Sequence, residues 1–315
     1  MLPSPNDHTD TDNLQLQPRD VRFDWSDLPI HWVPGEPQVT HSLNVLHILL
    51  PEGERWFCRT FTEALPLISD ERVRERVLGF IGQEAMHAKL HQEVQDLLRE
   101  RGLDAGAYVR QAEYLFRRVL SPREGLTPQQ RKEEILEAVA LIAAIEHVTA
   151  FLGDWILNTP QLDRAGAHPA MLDLLRWHGA EEVEHRSVAF DLLKHLDPGR
   201  ARQLRAAVLA GPIVLWLLIR GTRCLMAVDP ALRGGPAGRA SWRAYQRAAR
   251  RGLLPGMGHF VKSYLRYAKP GYHPTQEGST EQAVAYLASS PAARAADALA
   301  APAVPADPAA PAEQH

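Results

Sequence analysis

Cysteine is scarce in this chain, which contains only Cys58 and Cys224. Such a low count argues against a disulfide scaffold and against a cysteine-based zinc site, and it fits a reducing cytoplasm. The first residues, MLPSPNDHTDTDN, have neither the basic nor the apolar region of a secretory signal. We therefore expect a cytoplasmic protein.

An excess of charge of either sign is also missing. The net charge is −3 and the pI is near 6.5, so we expect no nucleic acid as a partner. No segment alternates convincingly between polar and apolar residues, and no nucleophile elbow, Walker sequence or dinucleotide fingerprint occurs. The missing strand pattern favours a helical protein. The missing motifs argue against nucleophile-elbow, Walker-type and dinucleotide-binding chemistry.

Helix signals are present along most of the chain, and 45% of its 315 residues are hydrophobic. Pro51 and Pro169 each suit the first turn of a helix, Asp70 suits an N-cap, and Thr127 precedes another proline. The predicted helices cover residues 51–66, 70–101, 104–119, 128–157 and 169–195. Long helices with short connections are typical of an all-α bundle.

The ends of the chain differ in composition from the middle. We predict an irregular N-terminal arm at 1–40, a bundle at 41–200, additional C-terminal helices at 201–290 and a disordered Ala/Pro tail at 291–315.

Glutamate and histidine interrupt the apolar faces of four predicted helices. Such faces normally become core. A lone buried carboxylate costs several kcal/mol, and two divalent cations would neutralise four of them. Histidine and carboxylate ligands suit iron, manganese or zinc. The predicted ligands are Glu54, Glu84, His87, Glu146, Glu182 and His185.

Two Glu-x-x-His motifs occur, at Glu84–His87 and Glu182–His185. Chance gives about one such match in a chain of this composition. Each motif, however, lies on the inward face of a long helix, and each follows an inward glutamate on the preceding helix. The intervals from Glu54 to Glu84 and from Glu146 to Glu182 suit antiparallel pairs. The competing interpretation is a set of exposed carboxylates.

This pattern resembles the ferritin-like di-iron carboxylate superfamily, and its spacing is closest to the radical-generating subunit of ribonucleotide reductase and to bacterial di-iron oxygenases. The segments QEAMH at 83–87 and HGAEEVEHR at 178–186 also resemble a bacterial family of predicted metal-dependent hydrolases, over residues 20–275 approximately. The resemblance implies a ferritin-like four-helix bundle with two irons. In this interpretation Glu146 and either Glu54 or Glu182 bridge the metals, so Glu146 and Glu182 are the predicted catalytic carboxylates.

Three residues near the motifs carry further expectations. His91 stands where the reductase subunit has its radical tyrosine, so a stable tyrosyl radical is not expected, and His91 is assigned a supporting role beside the ligands. His178 matches the additional histidine ligand of di-iron arylamine N-oxygenases, although a histidine bonded in the core is an equal alternative. Glu181 is expected to orient a ligand histidine of the opposite pair, the alternative being a surface charge.

The leading functional hypothesis is an oxidase or oxygenase, in which two irons activate dioxygen to oxidise a small apolar or aromatic substrate, with electrons from an unknown donor. A metal-dependent hydrolase that activates water is the alternative. Iron storage is a second alternative, and the long C-terminal segment argues against it.

Residues 206–219 form an uncharged run of about 21 Å of helix, short of the ~30 Å hydrocarbon core of a membrane. We predict that this helix packs on the helix that carries Glu182 and His185, with Val208, Val214, Leu215 and Leu218 facing inward as a roof. The basic, aromatic segment that follows leaves peripheral membrane contact as the alternative.

Overall fold

The computed structural model describes residues 15–235 and 238–300, and over these residues the protein is all-α, as predicted. Residues 1–14 of the predicted arm lie outside this range. The helices are α1 (Pro37–Asn44), α2 (Leu46–Ala64), α3 (Glu71–Glu100), α4 (Gly106–Tyr114), α5 (Pro128–Leu157), α6 (Gln161–Arg164), α7 (Pro169–His185), α8 (Val188–Leu196), α9 (Ala201–Val228), α10 (Trp242–Arg250), α11 (Met257–Tyr267), α12 (Thr280–Ser289) and α13 (Pro291–Ala300).

Helices α2, α3 and α5 form a bundle with α7 and α8, which together occupy the fourth position. The closest packing joins α2 to α3 and α5 to α7, and contacts of α2 with α5 and of α3 with α8 close the ring. Asp70 caps α3 through the amides of Arg72 and Val73, and Thr127 caps α5 in a capping box with Gln130. Both helix starts were predicted from the sequence.

The prediction that Pro51 begins a helix is wrong, because α2 begins at Leu46 and Pro51 lies inside it. A proline has no amide hydrogen, so the carbonyl four residues earlier loses its donor. That carbonyl belongs to His47, and it accepts a hydrogen bond of 3.2 Å from Gln95 Nε2 on α3 instead. A neighbouring helix thus replaces the bond that proline removes.

The predicted helix at 169–195 is two helices, because α7 ends at His185 and α8 begins at Val188. In a continuous helix the Val183 carbonyl would accept the amide of Ser187. Here it accepts the Arg186 guanidinium, which also donates to Thr280 Oγ1 at 3.0 Å and to the Pro274 carbonyl at 3.1 Å. The break therefore depends on contacts with the C-terminal segment.

The position of α9 differs from the predicted roof over the helix that carries Glu182 and His185. It packs along α5 and α1 rather than along α7, and its buried face combines the small residues Ala206, Ala207 and Ala210 with Leu217, Leu225 and Met226. Of the four residues predicted to face inward, Val208 is 73% exposed, whereas Val214, Leu215 and Leu218 are half-buried and line cavities. Small side chains let the first half of α9 approach α5 closely, and Val208 points away from this contact.

Among the described residues, two helices, α5 and α9, are long and apolar enough to cross a membrane by length and composition. The most apolar window of α5 is 61% buried, as in the core helix of a soluble protein, whereas that of α9 is 28% buried. Length and composition leave membrane association of α9 open.

Residues 291–300 form α13, although they fall in the predicted disordered tail. Asp173 on α7 accepts hydrogen bonds from Ser290 Oγ at 2.8 Å and from the Ala292 amide at 3.1 Å, and Ala293 is buried. These contacts order the start of a segment whose composition alone suggested disorder. Residues 301–315 lie outside the described residues.

Residues 15–36 of the predicted arm pack on the bundle without α-helix, whereas its last four residues belong to α1. Its anchors include the buried Trp32 and Val33. His31 and the buried His41 of α1 both contact Asp229 Oδ2, at 2.5 and 2.7 Å. This cluster fastens the arm and α1 to the end of α9.

Helices α5 and α7 cross at two glycines, Gly153 and Gly179. A Cβ atom added to Gly179 would lie 2.9 Å from Gly153 Cα and 2.7 Å from Ile156 Cγ2. Backbone cannot move aside as a flexible side chain can, so the crossing requires glycine at these positions. Gly179 precedes Glu182 by three residues, so this close approach also sets the position of that carboxylate.

We expect Gly179→Ala to lower the free energy of unfolding by roughly 1–3 kcal/mol, because the methyl group forces α5 and α7 apart. Urea denaturation measures the change. Gly258→Ala is the matched control, since that glycine is helical and a Cβ there meets nothing within 4 Å. Equal stability of the two variants would contradict the role of the crossing.

Candidate metal centre

The six predicted ligands come together in the centre of the bundle, and all of them are buried. His87 Nδ1 lies 3.7 Å from Glu84 Oε1 and 3.7 Å from Glu182 Oε1. On the other side, His185 Nε2 lies 3.3 Å from Glu84 Oε1 and 4.0 Å from Glu182 Oε1. Glu84 and Glu182 therefore lie between the two motif histidines.

Glu54 and Glu146 lie at the two ends of this group. Glu54 Oε1 is 3.7 Å from His178 Nε2, and Glu146 Oε2 is 3.1 Å from His185 Nδ1. Two overlapping sets of four side chains have ligand atoms within 4.8 Å of one another. One set is Glu54, His87, His178 and Glu182, and the other is Glu84, His87, Glu182 and His185.

A ring of polar groups fixes the orientation of His87. Its Nε2 contacts Glu181 Oε2 at 2.9 Å, so Nδ1 faces the centre, and its ring packs edge-on against Trp177 with centroids 5.2 Å apart. Arg19 Nη1 donates to Glu181 Oε1 at 2.6 Å and to Glu184 Oε2 at 3.0 Å. Glu181 thus contacts the histidine of the other motif, which is the contact that the sequence predicted for it.

Many buried polar atoms of the centre have no hydrogen-bond partner among the described residues. Buried polar groups in proteins are almost always hydrogen-bonded. Within the described part of the chain, however, atoms of all six predicted ligands have no hydrogen-bond partner. They are both carboxylate oxygens of Glu54 and of Glu84, His87 Nδ1, Glu146 Oε1, Glu182 Oε2 and His185 Nε2. These oxygen and nitrogen atoms fit a divalent cation such as iron, manganese or zinc.

Electrostatics indicate the same requirement for positive charge. Burial, reinforced by the neighbouring carboxylates, raises the pKa values of Glu54, Glu84 and Glu146 well above their ordinary value. Burial also acts to raise the pKa of Glu182, but His185 and His178 outweigh it and lower the value to about 2. Burial thus opposes the ionisation of Glu54, Glu84 and Glu146 unless positive charge lies nearby, and a bound cation would supply it.

A chain of histidines leads away from Glu182. His178 Nε2 contacts Glu182 Oε1 at 2.7 Å, His91 Nε2 contacts His178 Nδ1 at 2.8 Å, and His47 Nδ1 contacts His91 Nδ1 at 2.7 Å. Burial lowers the pKa values of all three histidines, that of His47 to about 3, and so disfavours their charged forms. A neutral histidine carries one N–H, so the chain has one direction of donation, which reverses if His178 Nε2 binds a metal instead of donating to Glu182.

Comparison with known proteins identifies the family of this chain. Residues 17–278 match the family model described as predicted metal-dependent hydrolase. The chain belongs to this family. Comparisons with the curated proteins and with the solved structures gave no match. The matched range contains every residue of the centre and the whole of the bundle.

Some residues that support the centre in this member of the hydrolase family were missed in the sequence analysis. His47 lies seven residues before Glu54, two helical turns away on the same face, so its spacing contained the signal. Glu184 shares its contact with Arg19 and also accepts from Gln83 Nε2 at 3.2 Å. Arg19 had no comparable signal, because it lies in the irregular arm and reaches the centre only through folding.

We expect Glu181→Gln to lower metal affinity about 10- to 100-fold, as losses of groups that orient ligand histidines commonly do. A glutamine cannot balance the Arg19 charge and weakens the contact that orients His87. Competition with a chelator measures the affinity. Glu93→Gln, an exposed glutamate on the helix of His87, is the control and should match the wild type. Unchanged affinity in Glu181→Gln would remove this residue from the centre.

His178→Ala tests whether this histidine is a ligand. If His178 Nε2 binds a metal, we expect the absorption spectrum of the cobalt-substituted protein to change while circular dichroism stays the same. His195→Ala is the control, because this histidine contacts Ser69 at 3.1 Å and takes no part in the centre. An unaltered cobalt spectrum would leave His178 as a histidine bonded in the core.

Proposed function

We propose that this protein is a hydrolase with a dinuclear metal centre. The observation that carries the proposal is the convergence of two Glu-x-x-His motifs and two further glutamates, with unpartnered atoms directed at one another in the core. The family description supports hydrolysis over the oxygen chemistry that the sequence analysis favoured. The closed ring of helices with inward ligands also supports a place in the ferritin-like superfamily.

The distances favour a division of the ligands between two metals. His87 offers one nitrogen and can serve one metal, whereas a carboxylate can bridge two. We assign Glu54, His87 and His178 to one metal and His185 to the other. Glu84 and Glu182 would help to hold both metals in this assignment, because each lies within 4.0 Å of both motif histidines.

Glu146 takes a different role from the bridging one that the sequence analysis gave it. One of its oxygens contacts His185 Nδ1 at 3.1 Å, and the other, Oε1, has no partner among the described residues. We assign Glu146 to the metal of His185.

Two bound divalent metals supply a Lewis acid for a carbonyl or phosphoryl oxygen and lower the pKa of water into the neutral range. The chain itself provides access and orientation. Glu182 and His178 line a cavity beside the centre, so a substrate would meet the centre there. Glu146 Oε1 would hold the metal beside His185, and Arg19 and Glu181 keep the ligands in register.

Oxygen-dependent oxidation is the second candidate, and one observation favours it. Nearly every side chain that lines the approach to Glu182 is apolar, Thr149 and the centre residues apart, which suits chemistry that excludes water. In this case the two metals would be iron, with dioxygen as a co-substrate and an unknown electron donor.

We expect two metal ions per chain, and we expect Glu84→Ala and His185→Ala each to reduce the bound metal sharply. Either change leaves buried carboxyl groups with too few ligands to hold two cations. Elemental analysis of the purified proteins by mass spectrometry measures the ratio. Two metals at wild-type affinity in either variant would contradict the assignment.

Hydrolysis and oxidation are separated by the need for oxygen. We expect the metal-loaded protein to release 4-nitrophenol from 4-nitrophenyl esters at the same rate under nitrogen and in air, and the Glu84→Ala variant to lose this activity. Measurement with an oxygen electrode accompanies the assay. Substrate-dependent oxygen uptake, with no hydrolysis of any ester, would reject the hydrolase proposal in favour of the second candidate.

A further inference from the structure

Three cavities meet beside the metal centre, and Leu46 and Leu152 line all of them. The inner cavity, about 50 Å³, reaches His178 and Glu182. The apolar cavity, about 140 Å³, lies between α2, α5 and α9. The outer cavity, about 320 Å³, reaches Arg223 and Trp242. Because the three share lining residues, they lie next to one another around Leu46 and Leu152, and the inner one reaches the centre.

The apolar cavity is built to hold hydrocarbon. Apart from Gly53 and Thr149, all its lining residues have aliphatic or aromatic side chains. Along α2 the lining continues from Leu46 to Phe57, which is about 16 Å of helix. A volume of about 140 Å³ spread over that length suits a linear chain better than a ring system. Gly53 contributes to this shape, since a Cβ there would lie 3.4 Å from Phe116.

The outer cavity has a polar rim with a cationic group. Arg223 is exposed, and no ion pair involving it occurs within the described residues. Gln38 and Ser241 lie at the same rim, bonded to each other at 2.9 Å. An unpaired guanidinium at the mouth of an apolar space suits a carboxylate or a phosphate.

We propose that the substrate is an acyl ester of an anionic amphiphile, with its acyl chain in the apolar cavity, its carbonyl beside Glu182 and its anionic head near Arg223. This inference rests on the proposed hydrolase function and narrows it to a substrate class. In the reaction the oxygen of water adds to the acyl carbon and the bond from that carbon to the ester oxygen breaks. The departing oxygen takes a proton from water, so a fatty acid and an alcohol leave.

The first experiment uses metal-free protein and fatty acids of 6 to 16 carbons, with binding measured by isothermal titration calorimetry. We expect the affinity to increase about fourfold per added methylene and then to level off when the apolar cavity is full. No binding of dodecanoate to the wild type, or an affinity that does not depend on chain length, overturns the proposal.

Two variants then test where the acyl chain binds. Leu152→Trp fills the junction and should weaken dodecanoate binding at least tenfold, whereas Leu78→Trp, at a leucine that is 48% exposed on α3, should not. If Leu152→Trp fails to fold by circular dichroism, Leu152→Phe replaces it, with a smaller loss expected. Wild-type affinity in a folded junction variant places the chain elsewhere and overturns the proposal.

Arg223→Glu locates the head. It should weaken binding of dodecanoylglycerol phosphate, which carries an anionic head beyond its ester, while leaving binding of uncharged monododecanoylglycerol unchanged, and Arg164→Ala, at an exposed arginine outside the cavities, should change neither. Equal losses for the two ligands would contradict the assignment of Arg223. A dodecanoyl ester with a carboxylate head, titrated beside the phosphate ester, distinguishes a carboxylate from a phosphate as the anion.

These measurements need neither bound metal nor turnover, so the two proposals fail separately. Hydrolysis of short esters without fatty acid binding rejects the amphiphile and leaves the hydrolase. Fatty acid binding with oxygen uptake and no ester hydrolysis rejects the ester and the hydrolase together, while the apolar cavity keeps its assignment as a chain-binding site.

Discussion

The burial of four carboxylates in one core is the constraint on which the rest of the structure depends. Each of Glu54, Glu84, Glu146 and Glu182 interrupts an apolar helix face, and together they cannot all be ionised without compensating positive charge. Cations bound by the motif histidines would supply that charge. Folding and metal binding would then be coupled, because the site exists only when four helices have assembled.

A layer of polar groups beside the candidate ligands holds them in place, and one of these groups, Arg19, comes from outside the bundle helices. Arg19 comes from the arm and pairs with Glu181 and Glu184, and His91 and His47 extend from His178 on the opposite side. A ligand histidine must keep its ring fixed while its second nitrogen is bonded. The arm thus contributes to the chemistry of the centre as well as to the packing of the bundle.

The same helices that carry the candidate ligands also line the cavities beside the centre. Successive turns of α2 place His47 and Glu54 toward the centre, while Leu46, Leu50 and Gly53 line the cavities. Helix α9 covers the apolar cavity from the α5 side and leaves its own outer face exposed. One short stretch of sequence therefore sets both the metal ligands and the hydrocarbon surface beside them.

The sequence alone determined the helical class and the identity of the six candidate ligands. Helix caps such as Asp70 and Thr127 and the spacing of Glu-x-x-His along an apolar face are local features, and local features can be read from neighbouring residues. For the same reason, the seven-residue spacing between His47 and Glu54 could have identified His47 from the sequence.

Only the tertiary structure decided the features that depend on distant residues. Pro51 stays within α2 because Gln95 serves the His47 carbonyl. The helix after His185 breaks because Arg186 is held by Pro274 and Thr280. Arg19 reaches Glu181 over 162 positions of chain, and the outward turn of Val208 follows from the close packing of α9 on α5. Each of these features depends on a residue far away in the sequence, which no local sequence pattern can identify.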